Sequence, residues 1–245
     1  MLKETFSIAR RNVVLYITYV LLLFGAQIAD EYFKGSSANV ASTILLCLLS
    51  MNVQKSVLWN LDLKAAAKVG GLPLLSFSFK IIALFLIALL VMLPVLYFFL
   101  MGRDSSSITL WSIFAGMLIF SVIFSIVMAL LGTWLPAGLR GVNTSIGDAF
   151  QRGKARLLAT SGRIMAGVGI PVLVGMVAVV ASVVFTGPDL MSNGQPNIPL
   201  ALIMLISDSF QVMGWTYVSV VLTRRYMEAE QIQPPSAVEA VSAIV

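Results

Sequence analysis

The stretch ALIMLISDSFQVMGWTYV, residues 201–218, decides the fold class of this chain. Apolar side chains fill it almost throughout, and a helix of about 20 such residues crosses the ~30 Å hydrocarbon layer of a membrane. One carboxylate, Asp208, stands in its middle. A charge at that depth costs at least ~2.5 kcal/mol when lipid surrounds it. We therefore expect a membrane-spanning helix that turns Asp208 towards other helices.

Five further apolar runs share this character. Of 245 residues, 59% are apolar and only 11% are charged, whereas soluble domains carry about 25% charged residues. Backbone polar groups in lipid must be satisfied within their own segment, so the runs are predicted to be helices. The chain is thus predicted to be an all-α polytopic membrane protein, with a single six-helix domain at 1–227 and a loosely ordered cytoplasmic tail at 228–245. The six runs are 12–29, 40–60, 81–101, 108–135, 164–186 and 198–222.

Basic residues fall mainly on one side of the six predicted spans. Lys and Arg concentrate on the cytoplasmic side of membrane proteins, so this asymmetry predicts cytoplasmic N- and C-termini in a bacterial inner (plasma) membrane. Only Lys34 and Arg103 fall on the other side. The larger group consists of Lys3, Arg10, Arg11, Lys55, Lys64, Lys68, Lys80, Arg140, Arg152, Lys154, Arg156, Arg163, Arg224 and Arg225.

The residue inventory argues against most catalytic chemistry. The chain contains no histidine, the commonest metal ligand and the usual acid–base group at neutral pH. Its single cysteine, Cys47, lies in an apolar run and cannot form an internal disulfide or a cysteine-based metal site. The glycine-rich GVGIPVLVG at 167–175 lies within a predicted span and lacks the lysine of a phosphate-binding loop. We expect no enzymatic activity, no cofactor, no metal and no nucleic-acid partner.

The segment between the fourth and fifth spans predicts a short amphipathic helix. Trp134 is typical of a membrane interface, and Pro136 is expected to end the fourth helix. Asp148 is expected in the first turn of the new helix, where the helix dipole favours a negative charge. The candidate N-caps are Asn143, Thr144 and Ser145.

This predicted helix has an apolar face and a basic face. Such a helix lies in the membrane interface. Two interpretations of the basic residues in and around this helix stay open. They serve only to fix the topology, or they contact anionic lipid or an acidic partner. The apolar face comprises Ile146, Ala149, Phe150 and Leu157, and the basic group comprises Arg140, Arg152, Lys154, Arg156 and Arg163.

The same segment resembles part of a loose group of six-helix bacterial inner-membrane domains. The similar stretch is LGTWLPAGLRGVNTSIGDAFQRGKARLLATSGRI at 131–164, together with VVLTRRYMEAE at 220–230. The group includes the membrane domain of some glycerophosphodiester phosphodiesterases and stand-alone relatives. The resemblance implies a six-helix fold and a supporting role in the membrane. It does not imply phosphodiesterase activity, because the catalytic domain with its metal-binding carboxylates and histidine pair is missing from this sequence.

Four polar residues are predicted to form a polar seam between the second and sixth spans. At 1.5 Å per residue, Asp208 lies about 15 Å from Ile198 and Asn52 lies at a similar depth. Lys55 and Gln211 lie within about one turn of them. Three interpretations stay open: an interhelical clasp with Asp208 protonated or paired with Lys55, a contact with another subunit, and a proton or solute site.

The fifth span carries a stripe of small residues at helical spacing, namely Gly175, Ala178 and Ser182. Small residues allow close helix–helix approach. The stripe packs either within the bundle or against another subunit.

Taken together, the sequence predicts a non-catalytic integral inner-membrane protein. We expect an accessory, scaffold or assembly subunit that binds membrane lipids and another membrane protein or a second copy of itself. The alternative is a small transporter or channel-like protein that uses the polar seam.

Overall fold

In a computed structural model, the chain forms an all-α bundle, as the sequence predicts. The structure describes residues 1–33, 37–70, 73–100, 110–141, 145–187, 190–192 and 195–233. The helices within these ranges are α1 (Leu2–Arg11), α2 (Val13–Phe33), α3 (Ser37–Trp59), α4 (Leu63–Ala66), α5 (Leu74–Leu100), α6 (Leu110–Leu131), α7 (Trp134–Leu139), α8 (Ile146–Lys154), α9 (Leu157–Ala181) and α10 (Ile198–Ala229).

Six of these helices, α2, α3, α5, α6, α9 and α10, are long and apolar enough to cross a membrane. A π-helical turn, Ser182–Thr186, follows α9, and two antiparallel two-residue strands, β1 (Met191–Ser192) and β2 (Gln195–Pro196), precede α10. Helix α10 has 32 residues, about 48 Å at 1.5 Å per residue. It is therefore longer than the hydrocarbon layer and projects beyond it.

The bundle has two ends, which differ in what surrounds α10. We call one the basic end: it holds α1, α4, α7, α8 and the last turns of α10. We call the other the hairpin end: it holds β1, β2 and the first turns of α10. Helices α2, α3 and α9 pack directly against α10, whereas α5 packs against α3 and α6. Helix α3 is the most deeply buried of the six spans.

The N-terminal helix α1 was not predicted from the sequence. Its chain direction changes at Asn12, whose side-chain amide donates to the Ile8 carbonyl at 2.9 Å. Glu4 then forms an ion pair with Arg224 of α10, with an Nη2–Oε1 distance of 2.6 Å. The predicted run 12–29 thus begins one residue before α2 and ends four residues before α2 does.

The end of the fourth span was predicted wrongly. Helix α6 ends at Leu131, and Pro136 lies inside the separate short helix α7. A proline is tolerated in the first turn of a helix because the amide that it lacks has no intrahelical partner there. The turn begins at Gly132, where a Cβ would lie 2.6 Å from the Leu222 side chain of α10.

Candidate functional site

Asp208 is the centre of the candidate site. Its side chain is buried, with 3% exposure, and its Oδ1 accepts a hydrogen bond from the Gln27 amide of α2 at 3.0 Å. Its second oxygen, Oδ2, and the Gln27 Oε1 are also buried, and neither has a hydrogen-bond partner among the described residues. Two adjacent oxygens therefore lack a donor in a place without bulk water. Buried acceptors of this kind are costly, and each calls for an explanation.

A cavity of 260 Å³ lies against this pair, and we call it the Asp208 cavity. Helix α10 forms its floor with Ser207 and Asp208, α2 contributes Gln27, and α9 forms the facing wall. This wall includes the predicted small-residue stripe, with Gly175 and Ala178 on α9 and Ser182 on the π-helical turn that follows it.

The small-residue stripe therefore faces the bundle interior but does not make a close helix contact. A Cβ on Gly175 would have its nearest neighbour, the Ser207 hydroxyl, at 3.9 Å. The close contact between α9 and α10 is at Gly167 and Gly214 instead. A Cβ on Gly214 would meet the Gly167 carbonyl and lie 2.5 Å from Pro171 Cγ. Only glycines at these positions allow the backbones of α9 and α10 to approach this closely.

The predicted polar seam does not form as a unit. Lys55 is buried, but its ammonium donates to the Val69 carbonyl at 2.6 Å and not to Asp208. Asn52 lies beside the Tyr19 hydroxyl of α2. Because Tyr19 and Gln27 are eight residues apart on α2, Asn52 and Asp208 differ by about 12 Å in depth. The estimate of equal depth was wrong because it assumed that both spans begin at the same level.

Gln211, the fourth member of the seam, lines a different cavity. This second cavity, of 270 Å³, lies between α6, α9 and α10 beside Trp215, and we call it the Trp215 cavity. It shares Gly175 and Ser207 with the Asp208 cavity. A third cavity of 390 Å³ between α3, α5, α6 and α10 shares Gln211 and Trp215 with the second. The three cavities thus adjoin one another along α10.

Helices α3 and α10 do pack together, through hydroxyl groups that the sequence analysis passed over. Ser50 and Ser219 lie 2.8 Å apart, oxygen to oxygen. Ser219 donates to the Trp215 carbonyl, so Ser50 is the donor between the two hydroxyls. One turn earlier on α10, the Tyr16 hydroxyl of α2 contacts the Thr216 hydroxyl at 2.9 Å. The sequence did contain a signal for this contact: Thr216 and Ser219 are three residues apart on α10, so their hydroxyls lie close together on its surface.

Arg152 is a structural residue of the basic end. Its guanidinium contacts Glu230 at 2.6 Å and Thr133 at 3.4 Å, and it lies over the Tyr226 ring. Only 10% of its side chain is exposed. Its backbone carbonyl also accepts a hydrogen bond from Arg225. These contacts fasten α8 to the end of α10, and they leave little of the guanidinium for a lipid phosphate or an acidic partner.

The other predicted basic residues are more accessible. Arg140, Lys154 and Arg163 are exposed, and Arg156 is exposed but lies 3.5 Å from Glu228. On the same helix as Lys154, the apolar Ile146 and Phe150 are about half exposed. This combination of exposed cations and exposed apolar groups is typical of a helix in the membrane interface.

The N-cap of α8 is Ser145, one of the three predicted candidates. The Ser145 hydroxyl accepts from the Asp148 amide at 3.1 Å, and the Asp148 carboxylate accepts from the Ser145 amide at 3.1 Å. These hydrogen bonds, first the backbone one from Ser145 and then its hydroxyl, lower the pKa of Asp148. The other two candidates, Asn143 and Thr144, and most of the predicted tail at 228–245 lie outside the described residues.

The Asp208 cavity can recognise a group through hydrogen bonds and charge. Within the described ranges, no three His, Cys, Asp or Glu side chains come together. The cavity offers acceptor oxygens from a carboxylate and an amide, with a serine hydroxyl beside them. Such a set binds a group that carries several hydrogen-bond donors and a positive charge.

No family model, curated protein or solved structure matches this chain.

Proposed function

We propose that this integral membrane protein is a non-catalytic accessory, scaffold or assembly subunit that binds a partner membrane protein. The observation that carries the proposal is the Asp208 cavity, in which a buried carboxylate oxygen has no partner within the described chain. Ionisable groups inside membranes normally pair with one another or with other polar groups. A partner helix supplies what this bundle lacks, without any catalytic step or cofactor.

The walls of the cavity support a protein partner. Gly175 and Ala178 leave room in front of Asp208, and small residues are what transmembrane helices use to approach one another closely. Helices α2 and α9 both flank α10. The cavity thus opens between α2 and α9, where either lipid or a partner helix covers it.

Membrane lipids are the second class of partner in this proposal. Exposed cations at the basic end, Lys154 and Arg163 among them, stand next to exposed apolar side chains such as Phe150. Each cation near an anionic surface contributes about 1 kcal/mol. Retention of anionic over zwitterionic lipid, measured by native mass spectrometry, should fall in a Lys154→Gln/Arg163→Gln variant. Equal retention would limit these residues to fixing the topology.

The proposed location is a bacterial inner membrane with the basic end in the cytoplasm. The support is the concentration of Lys and Arg at that end. Reporter fusions near residues 150 and 190 should report opposite compartments, since α9 separates the two positions. The same compartment for both would contradict this orientation.

The accessory role is tested by purification in mild detergent from native membranes followed by mass spectrometry. We expect a stoichiometric partner that is lost from Asp208→Leu and retained by Ser209→Ala, a neighbouring exposed position. In proteoliposomes the purified protein should move no solute. Recovery of the chain alone from native membranes at every detergent concentration would contradict the proposal.

A small transporter is the second candidate, and the three adjoining cavities favour it. They follow α10 from Asp208 to Trp215, and the buried residues after Val218 close the path towards the basic end. Under this alternative, Asp208→Asn would abolish a proton-dependent flux in proteoliposomes. A flux that Asp208→Asn leaves unchanged would exclude it.

A further inference from the structure

The unpartnered oxygens of the Asp208 cavity specify the chemistry of the missing group. Asp208 Oδ2 and Gln27 Oε1 are both buried acceptors. The Gln27 amide already bonds the other carboxylate oxygen, so the two free acceptors lie on neighbouring side chains. A proton on Asp208 Oδ2 would satisfy both oxygens only by donation to Gln27 Oε1, whereas the charged carboxylate leaves both oxygens in need of donors from elsewhere. A group with several N–H donors satisfies both.

The charge distribution also calls for a cation. Every Lys and Arg that the structure describes lies at the basic end of the bundle or one turn from it. Near the cavity the charged residues of α2 are acidic: Asp30 and Glu31 follow Gln27 by three and four positions, which is one helical turn. The charged side chains that the structure describes beside the cavity on α2 and α10 are thus acidic, and they favour a positive group in it.

We propose that the Asp208 cavity binds the ammonium group of a lysine on a transmembrane helix of the partner. The inference rests on the accessory role proposed above. An ammonium carries three donors and no acceptor, and the cavity offers three oxygens for them, from Asp208, Gln27 and the Ser207 hydroxyl. The volume of 260 Å³ suits one side chain rather than a whole helix. The partner helix itself lies outside, against the small residues of α9.

The geometry sets the position of that lysine. Asp208 lies ten residues into α10, about 15 Å from its start. That depth is near the middle of a ~30 Å hydrocarbon layer. A lysine near the centre of a partner span reaches it, whereas one close to a membrane surface does not.

The test uses the full-length protein in lipid nanodiscs and a synthetic transmembrane peptide. The peptide is a Leu/Ala host with one central lysine, and its control has leucine at that position. We expect the tagged protein to retain the lysine peptide about tenfold better than the leucine peptide, which corresponds to about 1.4 kcal/mol. Asp208→Asn should remove the preference, and Ser209→Ala should keep it.

A second variant keeps the test decisive if Asp208→Asn disturbs folding. Gly175→Leu fills the cavity from the α9 side and leaves the carboxylate in place. It should also abolish the preference for lysine. Equal retention of the two peptides by the wild-type protein would overturn the proposal. A preference for the lysine peptide that is missing from the wild-type protein and present in Lys34→Gln would overturn it as well. That result would mean that Lys34 of this chain, and not a partner, occupies the site.

The inference and the accessory role fail in distinguishable ways. Loss of the lysine preference together with a partner recovered from native membranes would refute this site and keep the role. A lysine preference without any recovered partner would keep the chemistry of the site and refute the role.

Discussion

The two ends of the bundle are stabilised by different means. At the basic end, four short helices surround the last turns of α10, and Tyr226 there is only 1% exposed. At the hairpin end, large apolar side chains such as Phe185 are 82% exposed. Ion pairs and hydrogen bonds join α1 and α8 to α10 at the basic end. Near the hairpin end the carboxylate of Asp208 lacks a complete set of partners.

This difference separates the part of the protein that holds its shape from the part that offers a binding site. The basic end ties its short helices to α10 through Arg224 and Arg152, although Arg152 Nη2 and Arg225 Nε have no partner there among the described residues and Phe6 is 58% exposed. From the middle of the bundle to the hairpin end, lipid is left to cover apolar side chains such as Phe185, and Asp208 still needs a further donor. Substitutions should therefore cost stability at the basic end and at the helix crossing, and should cost binding at the Asp208 cavity.

The largest difference in stability is expected between alanine substitutions at two glycines, Gly214 on α10 and Gly175 on α9. Gly214→Ala places a methyl group against the Gly167 carbonyl and 2.5 Å from Pro171 Cγ, and overpacking of this kind costs about 1–3 kcal/mol or more. Gly175→Ala has its nearest neighbour at 3.9 Å and should change stability by less than about 0.5 kcal/mol. Unfolding by denaturant in detergent micelles measures both. Equal losses would mean that the helices cross elsewhere.

An intermediate difference is expected between two basic residues of α8. Arg152→Gln removes contacts with Thr133, Tyr226 and Glu230, and we expect a loss of about 1–3 kcal/mol, within the usual range for a buried polar network. Lys154→Gln alters an exposed side chain and should stay within about 0.5 kcal/mol. The measurement is the shift of the thermal unfolding midpoint. If Lys154→Gln lowered the midpoint as much as Arg152→Gln does, the structural role given to Arg152 would be contradicted.

Features that depend on residues close together in the chain could be predicted from the sequence. Features that depend on how the helices pack could not. The six spans follow from hydrophobic length, and the Ser145 cap follows from a local pairing with Asp148. The polar seam required the relative depth of two helices. That offset is set by contacts between the two helices such as Ser50 with Ser219, which no single span reveals.

Two further errors have local causes. Helix α1 was not predicted, although Leu2 and Phe6 four residues apart, with charges between them, are typical of an amphipathic helix. Arg152 was grouped with the exposed cations because helical spacing alone does not show that Gly153, next to it, packs against the backbone of α6. That contact brings α8 against the bundle and buries the arginine. For Asp208, the sequence predicted burial correctly but not its partner, since Gln27 is 181 positions away.

The smallest effect concerns the edge of the basic end, at Asp148, and it has a defined dependence on pH. Hydrogen bonds from Ser145 lower the pKa of Asp148 in the folded state, so the unfolded chain binds more protons and stability rises with pH through the acid range. The contribution is complete above the unfolded pKa of about 3.9 and is lost as the pH falls through the lower folded value. Asp148→Asn should therefore lower the thermal midpoint at pH 7 and not at a pH below both values, whereas Ser145→Ala, which removes the other half of the cap, should lower it at both. The effect should be confined to α8, because Asp148 is on the surface and far from the Asp208 cavity, so peptide binding there should stay unchanged. A loss at Asp148→Asn that persists undiminished in acid would show that the charge of this carboxylate does not stabilise the cap.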